Sequence, residues 1–95
     1  MSKRDHVAIH PGEFLLEILT ELRITQAEFA RAIGVSPMRV SHIVKGTRPV
    51  TAELALRFSK ALGQSAEYWF NLQATYDLAT ARNTVRLNRV VRSPS

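Results

Sequence analysis

Ninety-five residues with 45% apolar content make one domain with a core of its own, not a disordered chain. The absence of cysteine excludes disulfides, thiolate metal sites and cysteine nucleophiles. No apolar run approaches the 18 or so residues a membrane span needs, and a net charge of +5 favours an anionic partner.

In chain order, the pattern predicts an all-α fold of five short helices. His10-Pro11-Gly12 precedes the first, in which Phe14, Leu15, Ile18, Leu19 and Leu22 form a wide apolar stripe. Thr25-Gln26-Ala27-Glu28 is a capping box that opens the second, with Phe29, Ala30 and Ile33 facing inward and Gly34 as terminator. Ser36 caps a third helix and Pro37 suits its first position, because proline's missing N–H would have had no intrahelical partner there. Val40, Ile43 and Val44 are its apolar side, and Gly46 stops it. Thr51 caps a fourth, with Leu54, Ala55, Phe58, Ala61 and Leu62 inward and Gly63 as its end. Ser65 caps a fifth running to about Arg82, with Trp69, Leu72, Tyr76 and Ala79 on one face and Phe70 widening it. Residues 1–82 thus read as one domain and 83–95 as a basic tail.

Two short helices meeting at Gly34-Val35-Ser36 make the corner of a helix-turn-helix, in which the second helix lies in the DNA major groove. Charge falls accordingly. Residues 13–28 carry Glu13, Glu17, Glu21 and Glu28 against Arg23 alone, whereas residues 36–48 carry Arg39, Lys45 and Arg48 with no acid. With its apolar side spent on the core, the recognition helix about 36–45 presents Pro37, Met38, Arg39, Ser41, His42 and Lys45. A carboxylate there would repel phosphates. Arg39 has the planar fork that grips O6 and N7 of guanine, and His42 lies one turn further along the same face. Met38 and Pro37 can meet a thymine methyl. Ser36, Lys45, Thr47 and Arg48 suit phosphate contacts, and Gln26 at the start of the bracing helix can reach another.

The stretch TQAEFARAIGVSPMRVSHIVKGTRPVT resembles the Cro/phage-repressor (XRE-like) helix-turn-helix. His10-Pro11-Gly12-Glu13, Thr51-Ala52-Glu53-Leu54-Ala55-Leu56-Arg57 and Trp69-Phe70-Asn71-Leu72-Gln73 narrow the resemblance to the HigA group of antitoxins, over roughly residues 8–82. The resemblance implies a lambda-repressor-like domain that represses its own operon as a homodimer on a palindromic operator in double-stranded DNA. It also implies a cognate ribonuclease toxin held inactive; no cofactor is expected, and the lack of a membrane-spanning run or a signal-peptide core in MSKRDHVAIH points to the cytoplasm. The chain departs from the better-known phage repressors at the head of the recognition helix. Pro37-Met38 stands where glutamine is common, so paired-glutamine readout of adenine is not expected.

A stand-alone phage-repressor-type regulator would have the same DNA chemistry without a toxin. His6 and His10 are four apart, but Pro11 biases His10 away from helix and no third metal ligand is evident. Tyr68, Trp69 and Phe70 fit a core or dimer contact better than a base-stacking platform. No catalytic constellation appears. The fifth helix has more apolar surface than one packing partner requires, which points to Trp69, Tyr76, Val85 and Leu87 as the dimer surface. Arg82, Arg86, Arg89 and Arg92, without an acid among them, make the tail either solubilising or an arm for an acidic partner or flanking phosphate.

Overall fold

The computed structural model describes residues 8–85. They form five helices: α1 (Pro11–Leu22), α2 (Gln26–Ile33), α3 (Pro37–Val44), α4 (Ala52–Leu62) and α5 (Ala66–Thr84). Thr25, Ser36, Thr51 and Ser65 cap α2 to α5, each accepting the backbone N–H three residues on. Gly34 and Gly63 end α2 and α4 in the left-handed conformation. α5 continues to Thr84, two residues past the expected Arg82.

The core is one cluster fed by every helix: Leu15, Leu19, Phe29, Ala30, Ile33, Val40, Ile43, Leu54, Ala55, Phe58 and Trp69, with Val50 from the loop before α4. Phe58 stands at its centre, 5.4 Å from Phe29 and edge-on to Trp69 at 5.1 Å. Such offset aromatic pairs add about 0.5–1.5 kcal/mol each beyond their area.

The inward sets read from the sequence hold for most positions and fail at three. Leu22 and Ala61 are exposed, because each sits in the last turn of its helix, where the chain leaves the body. Phe70 is exposed too and does not widen the inner face of α5. Trp69 has no exposed surface at all, so it offers none to a second copy.

α1 is seated by two features with no periodic signal. Its N-cap is a histidine: His10 Nδ1 accepts the Gly12 N–H at 2.9 Å. Gly12 then lets α1 and α3 touch backbone to backbone, since a Cβ there would overlap the Ile43 carbonyl oxygen and lie 2.8 Å from its carbon. His10 is 5% exposed, packs edge-on to Tyr76 of α5 at 4.8 Å and lies under Gly46.

Burial is the main cause that lowers the His10 pKa, opposed by a hydrogen bond to the Arg48 backbone and the charges of Asp77 and Glu13. The fold therefore holds the neutral ring, as acceptance of the Gly12 N–H requires. A lowered pKa in the folded state gives stability that is present above the ordinary value of 6.5 and is lost as pH falls through the folded value. Thermal melts between pH 7.5 and 5 are expected to show a falling midpoint below about pH 6.5. His10→Asn keeps a capping acceptor and should flatten that dependence; an unchanged slope would refute the assignment.

Candidate nucleic-acid interface

The corner is built by its caps. Thr25 Oγ1 accepts the Glu28 N–H at 3.0 Å, and Glu28 accepts the Thr25 N–H at 2.8 Å. That bond, chiefly the Thr25 backbone N–H, lowers the Glu28 pKa and ties its carboxylate back towards residue 25. At the other end of α2, Gly34 turns the chain at φ 77° and Val35 N–H returns to the Ala30 carbonyl at 3.0 Å. Arg57 of α4 donates to the Ile33 carbonyl at 2.6 Å, closing the end of α2 from outside. Ser36 Oγ accepts the Arg39 N–H at 3.1 Å, which leaves its own hydroxyl proton free for a phosphate.

α3 then buries Val40 and Ile43 and turns the rest outward. Pro37, Met38 and Lys45 are exposed, Met38 to 67%, while Arg39, Ser41 and His42 are half-buried at the base. Ser36, Met38, Arg39, His42 and Arg48 line one shallow depression of about 160 Å³. Five of the residues singled out from the sequence therefore converge on one patch. Among the described residues the only ion pair is Glu53–Arg57 on α4, so Arg39, Lys45 and Arg48 keep their charges for a ligand.

One position is already engaged within the chain. Thr47 donates its hydroxyl to the His42 carbonyl at 3.1 Å and its N–H to the same oxygen at 2.9 Å. Its proton is spent on closing α3, which argues against a phosphate donor. Gln26 is half-buried at the first position of α2, where helical N–H groups have no intrahelical partner and favour an anion.

The loop between α3 and α4 is held from both sides by residues that carried no assigned role. His10 packs under Gly46. Gln73 of α5, itself buried, accepts the Val50 N–H at 2.7 Å and donates to Asp77 at 2.9 Å. The His-Pro-Gly and Trp-Phe-Asn-Leu-Gln segments thus act as braces that set where Arg48 stands beside Arg39. In the sequence these residues show only as members of those two segments.

The helix-turn-helix family matches residues 15–69, from the buried face of α1 to Trp69. The Escherichia coli (strain K12) HTH-type transcriptional regulator YddM is 38% identical over 86% of this chain and 87% of its own. Antitoxin HigA-1 of Vibrio cholerae is 36% identical over 87% of this chain and 79% of its own. The chain belongs to the HigA group of the helix-turn-helix family. The structure of Pseudomonas aeruginosa antitoxin HigA with the higBA promoter is similar throughout, at 44% identity, TM-score 0.79, and coverage of 81% of this chain and 85% of that one. The generic family match begins within α1 and leaves α5 beyond Trp69 outside it. Among the described residues no helix is long and apolar enough to cross a membrane. Leu87, His6 and most of the basic tail lie outside the described residues.

Proposed function

We propose that this HigA-type protein is an antitoxin and autorepressor. As a homodimer it binds a palindromic operator ahead of its own operon, and it holds a cognate ribonuclease toxin inactive, both in the cytoplasm. The observation that carries the DNA half is the acid-free patch of Ser36, Met38, Arg39, His42 and Arg48 on the exposed side of α3. In this reading Arg39 takes guanine, His42 a base edge or phosphate, and Met38 and Pro37 a thymine methyl. Ser36, Lys45, Arg48 and the N-terminus of α2 at Gln26 position the chain on phosphates. The antitoxin half leans on the relatives named above and on the flanking motifs. Residues 1–82 carry both activities, with 83–95 as a basic arm.

Fluorescence anisotropy on the inverted repeat upstream of the gene tests the DNA half. Affinity is expected to fall by orders of magnitude between 50 and 200 mM salt. Lys45→Ala should weaken cognate and scrambled duplexes alike and reduce the log–log salt slope by about 2 per dimer. A salt-insensitive interaction would refute the reading. The toxin half is tested by co-expression with the neighbouring small reading frame: the ribonuclease should co-purify in inactive form.

A stand-alone regulator is the second reading, favoured by the resemblance to YddM, which bears the name of a transcriptional regulator alone. It requires that operator binding occur and that no ribonuclease co-purify.

A further inference from the structure

The chain has no cysteine, so its two methionines are its only sulfur atoms, and Met38 is the one within the described residues. At 67% it is the most exposed large apolar side chain among them. It adds nothing to the core, which α3 serves through Val40, Ile43 and Val44. A single exposed apolar residue is ordinary, and Met38 gains its meaning from its surroundings. The depression that it lines with Ser36, Arg39, His42 and Arg48 is otherwise a set of hydrogen-bond donors. The two guanidiniums carry N–H groups alone, and the imidazole carries at least one. The Ser36 hydroxyl proton is free as well, because its oxygen already accepts the Arg39 N–H. No side-chain carbonyl or carboxylate stands among the five. Met38 supplies the one apolar part, a thioether, which is a poor acceptor.

We propose that Met38 is an oxidation site through which a hydroperoxide releases the protein from its operator. The inference rests on the DNA-binding reading above and adds a chemical control to its recognition helix. With hydrogen peroxide, the Met38 sulfur attacks one peroxide oxygen, so that an S–O bond forms as the O–O bond breaks. The proton of the attacked oxygen passes to the departing hydroxide, which leaves as water. Sulfur gives up two electrons and the peroxide takes them. The product is a sulfoxide, polar where the thioether was apolar, with an oxygen that accepts strongly. Two consequences follow for the DNA face. The apolar surface for a thymine methyl is lost. The new oxygen also stands among donors, where it competes with guanine and phosphate oxygens for Arg39, His42 and Arg48. Because Met38 lies outside the core, the change reaches the DNA face and leaves the fold intact. Trp69, another oxidisable side chain, has no exposed surface. On the operator α3 sits in the groove and covers Met38, so the oxidant acts on the free protein.

The full chain, treated with hydrogen peroxide and mapped by peptide mass spectrometry, tests this in anisotropy titrations on the inverted repeat upstream of the gene. One added oxygen at Met38 is expected to weaken operator binding by about tenfold to a hundredfold, with an unchanged circular dichroism spectrum. Methionine sulfoxide reductases acting on both epimers should restore the affinity. Met38→Leu has no sulfur at this position, so its affinity, whatever its starting value, should not change on treatment even though Met1 is still oxidised. Saturating operator duplex should slow oxygen uptake at Met38. An oxidised protein that binds as tightly as the untreated one would overturn the site. So would a Met38 that takes up oxygen as fast on the operator as off it. A loss of affinity that Met38→Leu shares would place the effect on another residue and overturn it too. A chain that binds no operator even before treatment would instead overturn the DNA-binding reading itself.

Discussion

Arg39→Ala is expected to weaken cognate operator binding by roughly 30-fold to 10⁴-fold while changing binding to scrambled duplex by far less. The range follows from about 1–3 kcal/mol for each bidentate arginine–guanine contact, counted once per half-site of a dimer. The geometry supports a base contact over a phosphate one. Arg39 starts from the first turn of α3, the end that enters the groove in this class of fold, and its backbone N–H is fixed by Ser36. It shares its depression with His42 and Arg48, and among the described residues no carboxylate neutralises it. Arg48 stands on the following loop, so phosphate contact is the role open to it. Competition titrations with specific and scrambled DNA at fixed salt measure the ratio directly. An Arg39→Ala protein that lost both affinities equally would move Arg39 to the backbone class; one that lost neither would remove α3 as the reading helix.

Gly12→Ala is expected to cost about 3 kcal/mol or more, the upper end for forcing an extra methyl into a filled space. For a domain of this size that lowers the melting temperature by roughly 12–24 °C. The cost is high because the obstacle is backbone: the new Cβ would meet the Ile43 carbonyl and approach Val44 Cα at 3.0 Å. A flexible side chain could swing aside, but a helix must move as a body. Relief requires α1 to lift from α3, which opens the packing of Leu15 and Leu19 and shifts the recognition helix. The same variant should therefore lose operator affinity even at temperatures where it is folded. Differential scanning calorimetry and anisotropy on one preparation check both effects, and a midpoint shift below about 3 °C would show that the two helices can separate freely.

These two residues illustrate different kinds of legibility. Arg39 can be read from its neighbours in the chain, because helix start, apolar stripe and polar remainder are all defined within ten residues. Gly12 is also visible in the chain, but only as the glycine of a His-Pro-Gly start. What it makes possible is a contact with residue 43, and no local period reports on that. The same holds for His10 under Gly46 and for Gln73 on the Val50 N–H, 23 residues away. In each case one polar or small side chain serves a partner that is near only after folding.

By itself the sequence determined the five helices, four of their five caps, the glycine stops and the acid-free face of α3. Those features depend on hydrogen bonds and spacings that close within a turn or two of the chain. Only the tertiary structure decided which of two apolar faces of α5 is core. It buried Trp69 against Phe58 and left Phe70, Leu78 and Val85 outside. A helix with apolar residues on two sides has no inside until another helix covers one of them, and that choice is made by packing.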